Sequence, residues 1–248
     1  MPTPSPPSSN TPEEPRRSAA SSPEESTRAG SGHAGDDVHV AHHFDSAAQQ
    51  HEAVQLGMWI FLATEIMFFG GAFAVYTVYR HDHSAAFHEA SRTLDITLGT
   101  VNTFVLLTSS LTMALGVAAA ARGRRGATAG WLLATIVLGT AFLGIKGVEY
   151  LHKYHEHHLP VAGLPFEWKG EEAAGARLFI GLYLGMTGLH ALHMIIGIGL
   201  MAIFVVRVLA TRHPARLGPG VEVLGLYWHF VDLVWIYLFP LLYLIDRS

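Results

Sequence analysis

Five long apolar runs dominate the chain between residue 52 and the C-terminus. They lie near Gln55–Tyr79, Leu94–Ala121, Ala127–Tyr150, Leu178–Val206 and Val221–Leu244. Each run reaches the ~20 residues that a helix needs to cross the hydrocarbon core of a bilayer. The pattern predicts an all-α polytopic membrane protein, a bundle of five transmembrane helices over residues 52–248. The fourth run exceeds one crossing, so we expect tilt or an extension beyond the bilayer.

The segment before the first run, residues 1–51, has a different composition. It is rich in Pro, Ser, Ala, Glu and Gly and has no apolar face, which is typical of a disordered tail. It also lacks the basic-then-apolar order of a cleaved signal peptide. Its histidines could bind a metal weakly, although a solvated low-complexity segment is the favoured interpretation. These histidines are His33, His39, His42 and His43.

Composition supports a membrane protein and limits its chemistry. Charged residues make up 15% of the chain, whereas a soluble domain has about a quarter, and most of them lie between the apolar runs. The chain contains no cysteine. This excludes disulfides, thiolate metal sites, iron–sulfur ligation, c-type haem attachment and a copper centre built on thiolates. We expect no nucleic-acid partner.

Lys and Arg residues in the short loops predict the orientation of the chain. Two links on the side of the N-terminus are basic. They carry Arg122, Arg124, Arg125, Arg207, Arg212 and Arg216. The loops on the opposite side have fewer basic residues, and glutamates dilute them. The N-terminus is therefore predicted to be cytoplasmic and the C-terminus exterior.

Three ionisable residues lie inside the first and third runs, where an unpaired charge costs free energy. Glu65 stands within GMWIFLATEIMFFGG, near the middle of the first run. It could hold a proton, bond a neighbouring helix, or contact a lipid headgroup or water; a helix–helix hydrogen bond has the highest prior. Lys146 and Glu149 have i, i+3 spacing, which favours a mutual ion pair. Snorkelling of Lys146 to the membrane interface is the alternative.

Small polar residues follow much of the second run, and histidines interrupt the fourth and fifth. The polar residues of the second run are Asn102, Thr103, Thr108, Ser109, Ser110 and Thr112. They favour close helix packing over a transport path. His190 and His193 lie three residues apart, as do His229 and Asp232, so each pair projects from one helical face.

The three intramembrane histidines raise the question of a metal site. His190, His193 and His229 could hold a metal if they converged. Glycines beside His190 instead favour close packing, with the histidines hydrogen-bonded across helices. We therefore expect no metal, and we expect His229 to be the partner of Asp232.

The segment EYLHKYHEHHLP after the third run is predicted to be a histidine-rich loop. Its histidines are His152, His155, His157 and His158. Zinc or copper binding is conceivable, but adjacent residues on several faces favour a wet interfacial cap. The tryptophans are mostly expected near helix ends, as membrane-interface aromatics. They include Trp131, Trp168, Trp228 and Trp235.

Five sequence segments together resemble subunit III of the haem–copper respiratory oxidases. In order they are FLATEIMFFGG, NTFVLLTSS, KGVEY, TGLHALHMIIG and YWHFVDLVW, one for each predicted helix. The resemblance extends from about Gln55 to the C-terminus. It is to the short five-helix bacterial form, which lacks the first two helices of the seven-helix form.

The resemblance implies a role within a larger complex. Such a subunit carries no redox centre and packs on subunit I, which holds haem and copper, in a complex with subunit II. It stabilises the active site, assists proton uptake and binds structural phospholipid. We expect a non-catalytic subunit of a proton-pumping cytochrome c oxidase in a bacterial plasma membrane. A quinol oxidase or nitric oxide reductase component is the alternative, and a free-standing metal or proton transporter is an alternative of another class.

The resemblance also implies roles for individual residues. Glu65 matches the family's intramembrane glutamate at a lipid cleft, where it would support lipid binding or proton uptake. The remaining matches form a polar surface between packed helices. They are Asn102, Lys146, Glu149, Tyr150, His190, His193, Trp228, His229 and Asp232. Lys146 departs from the Gln often found there, and loss of two helices removes one wall of the lipid cleft unless helices of subunit I replace it.

Overall fold

The computed structural model describes residues 47–155, 172–211 and 217–244. Five of its helices, α1 and α3 to α6, are long and apolar enough to cross a membrane. The helices are α1 Ala47–Asp82, α2 Ser84–Ser91, α3 Ile96–Ala121, α4 Arg125–His155, α5 Ala173–Ala210 and α6 Gly218–Phe239, which continues into a π-helical turn, Pro240–Leu244. The predicted all-α architecture with five membrane-spanning helices is confirmed.

Two of the differences between the observed and predicted helix boundaries change the predicted tail and loop. Helix α1 begins at Ala47, so its first turns belong to the segment that the sequence assigns to the tail. Residues 1–46, with the tail histidines, lie outside the described residues. Helix α4 extends to His155, so the prediction of a loop is wrong for residues 151–155, which follow the predicted third run. His152 is exposed on this helix, and His157 and His158 lie outside the described residues.

Local sequence explains how the second spanning helix begins and ends. The Asp95 side chain caps α3 by accepting hydrogen bonds from the backbone N–H groups of Thr97 (2.8 Å) and Leu98 (3.2 Å). At the other end, Gly123 adopts a φ of 65°, a conformation that glycine adopts without steric cost. The tight turn around Gly123 places α4 directly beside α3.

Helix α6 occupies the centre of the bundle and runs antiparallel to α3. In the most apolar 18-residue window of α6, 56% of the residues are buried, against 11% in α1, so α1 lies at the edge. The pairing along α3 and α6 runs in opposite directions. It joins Val117 with Gly225, Ser109 with Trp228, and Thr103 with Trp235.

Two tryptophans of α6 fill the middle of the bundle. Trp228 and Trp235 are fully buried, and their indole N–H groups donate to Ser109 Oγ (3.2 Å) and Thr103 Oγ1 (3.1 Å). The prediction of interfacial positions is wrong for both, because hydroxyls of α3 satisfy the indole donors inside the protein. Trp131 is partly exposed, and Trp168 lies outside the described residues.

Glycines of α4 and α5 make the room that Trp228 needs. A Cβ atom at Gly139 or at Gly197 would lie 2.9 Å from the Trp228 ring. Both helices therefore approach the indole more closely than any other residue type would allow. This close approach explains why glycine occupies both positions, although neither lies in a turn.

The packing of Trp228 against α5 predicts different effects of two similar substitutions. Gly197→Ala should destabilise the chain by about 1–3 kcal/mol, because the added methyl group overlaps the Trp228 ring. Gly199→Ala is the matched control, since a Cβ there has no neighbour within 4 Å. Thermal unfolding of the two purified variants in detergent measures the difference. Equal unfolding midpoints would contradict the packing described here.

Candidate functional site

Glu65 of α1 faces His193 of α5. The Glu65 Oε2 and His193 Nε2 atoms are 3.2 Å apart, although their alignment falls short of a good hydrogen bond. Phe69 stacks 5.5 Å from the imidazole. Glu65 is 19% exposed and His193 12%. The carboxyl group therefore lies against a neighbouring helix without the hydrogen bond that the sequence favours, and it is only partly covered.

Hydrogen bonding fixes which nitrogen of His193 faces the acid. The Nδ1 atom lies 2.9 Å from the Leu189 carbonyl oxygen, and because a carbonyl only accepts, Nδ1 carries a proton. Nε2 is then left to interact with Glu65.

A closed polar network connects α4, α5 and the π-helical turn. Lys146 Nζ donates to Glu149 Oε2 (2.9 Å), Tyr243 Oη (2.6 Å) and Tyr183 Oη (3.3 Å). The two phenols in turn donate to Glu149 Oε1, at 2.8 Å from Tyr183 and 2.6 Å from Tyr243. Each group both satisfies and is satisfied by the others, as a buried network requires.

Lys146 is held within the protein and does not reach the membrane interface. It is 5% exposed, and its ammonium group lies over three aromatic rings, 4.8 Å from Trp235, 5.1 Å from Tyr243 and 5.3 Å from Tyr183. Snorkelling is therefore the wrong alternative. The counter-charge of Glu149 and the ring faces together stabilise the cation in a site closed to solvent.

Tyr183 and Tyr243 are members of the charged network that sequence reasoning missed. Their phenols complete the Lys146–Glu149 network, but aromatic residues near the ends of spans resemble ordinary interface anchors. Tyr150, which the sequence does single out, hydrogen-bonds Thr187 of α5. Thr187 itself donates to the Tyr183 carbonyl oxygen at 2.5 Å. A hydroxyl chain thus joins α4 to α5 beside the charged network.

His190 and Asn102 lie together around Phe142 of α4. Asn102 Nδ2 donates to the Phe142 carbonyl oxygen at 3.3 Å. The imidazole of His190 meets the Phe142 ring edge to face, with ring centroids 5.5 Å apart, and the Trp235 ring at a tilt, with centroids 5.2 Å apart. The imidazole is fully buried, and neither nitrogen has a hydrogen-bond partner among the described residues. Its role in the fold is aromatic packing, not the expected hydrogen bond across helices.

His229 bonds α3 and does not pair with Asp232, which corrects the prediction for these residues. Its Nδ1 is hydrogen-bonded to Ser110 Oγ at 2.7 Å. Asp232 also lies close to Ser110, yet neither of its carboxyl oxygens has a hydrogen-bond partner among the described residues. His229 and Asp232 do share a face of α6, as predicted. The imidazole of His229, however, is hydrogen-bonded to the Ser110 hydroxyl of the facing helix α3.

The three intramembrane histidines contact three different sets of residues. His193 faces Glu65, His190 lies between two aromatic rings, and His229 bonds Ser110. Within the described ranges, no group of three metal-ligating side chains is close enough to hold an ion. The geometry pairs the charges of Lys146 and Glu149 and places Glu65 beside His193.

Five membrane-spanning helices with polar side chains paired between them define a polytopic helical membrane protein. Comparison with known proteins places it more closely, because the family model for cytochrome c oxidase subunit III matches residues 36–246. The chain belongs to this family of haem–copper oxidase subunits. The resemblance identified from the five sequence segments is therefore confirmed, and the family makes the chain one component of an oxidoreductase complex.

Relatives of this chain include subunits of two kinds of oxidase. Subunit 3 of the cytochrome bo(3) ubiquinol oxidase of Pseudomonas aeruginosa is 29% identical over 212 residues, which cover 86% of this chain and 94% of the relative. Cytochrome c oxidase subunit 3 of Corynebacterium diphtheriae is 32% identical over 203 residues, 81% and 92% of the two chains. A probable quinol oxidase subunit 3 of Staphylococcus haemolyticus is 29% identical over 208 residues, 84% and 96% of the two chains.

The Lys146 network predicts strong coupling between its two charges. Glu149→Gln should destabilise the chain by about 3–5 kcal/mol, because it leaves the buried ammonium without a counter-charge. Lys146→Gln should be costly for the converse reason. The double variant should cost much less than the sum of the two, since two neutral amides can bond each other and the phenols. A double-mutant cycle of unfolding free energies measures this, and additive effects would contradict it.

Proposed function

We propose that this chain is subunit III of a proton-pumping haem–copper terminal oxidase that transfers electrons from cytochrome c to oxygen. In this role it carries no redox centre, packs on subunit I and stabilises the active site. The complex would contain subunit II as well, and haem and copper would reside in the partner subunits. The observation that carries this proposal is the family match over residues 36–246.

The arrangement of polar side chains supports an accessory role. The charged groups at the core are neutralised internally: Lys146 and Glu149 bond each other and two phenols. Hydroxyl groups of α3 accept hydrogen bonds from the Trp228 and Trp235 indole N–H groups. Side chains engaged in this way hold the helices together and are not free to act as catalytic groups. This is what we expect of a subunit that stabilises a neighbouring catalytic chain.

Glu65 is the residue that we assign to lipid binding or to support of proton uptake. Its carboxyl group shares a contact with His193 across two helices and is only partly covered. Helix α1, which presents it, is the least buried of the five spans. A phospholipid bound along α1 would lie beside this pair, and Nε2 of a neutral His193 could accept a proton from Glu65 with no change in the net charge of the pair.

The electron donor is the point on which the alternative proposal differs. Relatives with closely similar identities include a ubiquinol oxidase subunit and a cytochrome c oxidase subunit. Because electrons would enter through another subunit, the contacts within this chain do not identify the electron donor. A quinol oxidase, or a nitric oxide reductase, is therefore the second candidate, and the partner subunit decides between them.

The orientation follows from the basic turn between α3 and α4. Arg122 and Arg124 are exposed between the two spans, and Arg125 is exposed at the first residue of the second of them. We assign this side to the cytoplasm of a bacterial cell and place the N-terminus with it. The five spans then leave the C-terminus at the exterior face.

A free-standing transporter, the proposal of another class, receives no support from the geometry. Such a protein needs ionisable groups that follow one another across the membrane. Glu65 and His193 pair at the edge of the bundle, whereas His190 is enclosed by aromatic rings and His229 bonds α3. These residues lie in separate surroundings and form no continuous row among the described contacts.

Purification of a tagged chain in mild detergent tests the proposed function. We expect a haem-containing subunit to co-purify, identified by its absorption spectrum and by mass spectrometry. A partner with a cysteine-based copper site would establish cytochrome c as the donor. Recovery of the chain alone, without a haem spectrum but with metal or proton uptake in vesicles, would contradict the assignment.

Substitution of Glu65 separates its proposed role from assembly. Glu65→Gln should leave the haem spectrum of the complex intact but shorten its active life during turnover, or lower the phospholipid bound per complex. Glu89→Gln, at an exposed glutamate of α2, is the control. Activity traces and lipid phosphorus analysis measure both effects. Loss of haem from the Glu65 variant would show that the residue acts in assembly instead.

A further inference from the structure

Ser110 differs from the other hydroxyl residues in the middle of α3. Four of its neighbours donate to backbone carbonyl groups of their own helix, at 2.7 or 2.8 Å. These neighbours are Thr103, Thr108, Ser109 and Thr112. Ser110 makes no such bond among the described residues, and its Oγ lies 2.7 Å from Nδ1 of His229 on α6. The Ser110 hydroxyl is therefore available to partners on another helix.

Asp232 is the buried acid beside this hydroxyl. It follows Trp228 by four residues and precedes Trp235 by three, so the three side chains share one face of α6. Both indoles are fully buried, and Asp232 itself is 3% exposed. The carboxyl group therefore lies inside the bundle, close to Ser110, where nothing outside the bundle reaches it directly.

The donors around Asp232 are already used. Neither carboxyl oxygen has a hydrogen-bond partner among the described residues. The indole N–H groups on either side donate to Ser109 and Thr103. No Lys or Arg side chain of the described ranges forms an ion pair with Asp232, since Lys146 is bonded to Glu149. A carboxylate here would have no counter-charge and no hydrogen-bond donor other than the Ser110 hydroxyl.

The depth of Asp232 in the membrane makes such a charge costly. The spans Ile96–Ala121 and Gly218–Leu244 have their middles at residues 108–109 and 231. Ser110 and Asp232 therefore lie within ~3 Å of the middle of their spans, at 1.5 Å rise per residue. An unpaired charge costs most free energy at this depth. A neutral carboxylic acid avoids that cost, and its O–H group needs only one acceptor.

Three groups share the single hydroxyl of Ser110. Only one arrangement keeps all three neutral and also gives the hydrogen of the acid an acceptor. In it, Asp232 donates to Ser110 Oγ, Ser110 donates to His229 Nδ1, and His229 carries its own proton on Nε2. The reverse direction, from His229 through Ser110 to a carboxylate, leaves a negative charge or a separated ion pair in the membrane.

We infer that Asp232 is a buried proton-binding site, and that Ser110 and His229 form the hydrogen-bonded path between this site and the surface of the bundle. Ser110 and His229 are both partly exposed, whereas Asp232 is not. The site lies between α3 and α6, apart from Glu65 of α1. It goes beyond the proposed function and does not depend on it.

Release of the proton proceeds through three transfers. The O–H bond of Asp232 breaks as Ser110 Oγ accepts its proton, and the hydroxyl passes its own proton to His229 Nδ1. His229 Nε2 then gives its proton to a water molecule at the surface of the bundle. The products are a carboxylate at Asp232, a neutral Ser110, a neutral His229 with its proton on Nδ1, and a hydronium ion. Uptake is the reverse sequence.

Infrared spectroscopy of the full chain, purified with the subunits that accompany it, tests for the proton on Asp232. The C=O band of a carboxylic acid is well separated from the bands of a carboxylate. The wild-type spectrum minus that of Asp232→Asn should therefore show an acid band. Glu222→Gln is the matched control, because Glu222 is an exposed acid of the same helix and should show carboxylate bands at neutral pH. Carboxylate bands in the Asp232 difference would overturn the inference.

Exchange of hydrogen for deuterium tests the path. In D2O the acid band moves as Asp232 takes up deuterium, and Ser110→Ala should slow this exchange about tenfold, the factor that one ordinary hydrogen bond contributes. The same variant should raise the frequency of the C=O band, because the acid loses its acceptor. Ser110→Thr keeps a hydroxyl and should exchange as the wild type does. Thr108→Ala is the control, since the exposed Thr108 hydroxyl bonds the Phe104 carbonyl oxygen.

Two results of the exchange experiment would count against the inference. Equal exchange rates in Ser110→Ala and Thr108→Ala would show that the path does not pass through Ser110. An unchanged C=O frequency in Ser110→Ala would show that the acid does not bond this hydroxyl. The second comparison leaves Asp232 in place, so it decides the question even if Asp232→Asn fails to fold. Neither comparison depends on which subunits co-purify.

Discussion

The packing of α6 against α3, α4 and α5 is the constraint on which the rest of the bundle depends. Trp228 occupies space that exists only because α4 and α5 have glycine at positions 139 and 197. Its indole donor, and that of Trp235, find hydroxyls on α3. In a membrane, the hydrophobic effect does not drive helices together, because lipid tails are as apolar as the side chains. Close packing and hydrogen bonds of this kind therefore hold the helices in register.

The same register brings the charged residues together. Trp235 lies under the Lys146 ammonium group, and the turn that follows α6 supplies the Tyr243 phenol. Without α6 in place, Lys146 and Glu149 would have each other but would lack the phenol of that turn. The charged network and the tryptophan packing are therefore parts of one structure. A substitution that disrupts one of them should also destabilise the other.

This organisation suits a subunit whose chemistry takes place elsewhere. The central helices are fixed by paired groups, whereas α1 is mostly uncovered and presents Glu65 at the edge. Between the end of α3 and the beginning of α6, the surface has a groove lined mostly by small residues. A rigid centre with an incomplete periphery is what a membrane protein has when lipids and other subunits complete its surface.

The sequence by itself determined the five spans, because apolar runs of that length have few other uses, and it determined the family, because each span carries a matching segment. It also singled out Glu65, Lys146 and Glu149, whose charges are conspicuous within apolar runs. Only the tertiary structure decided their partners. His193, Tyr183 and Tyr243 are distant in the sequence from the acids they contact, and Ser110 replaced Asp232 as the partner of His229. Helical spacing states which residues share a face, but the rotation of each helix in the bundle decides what that face meets.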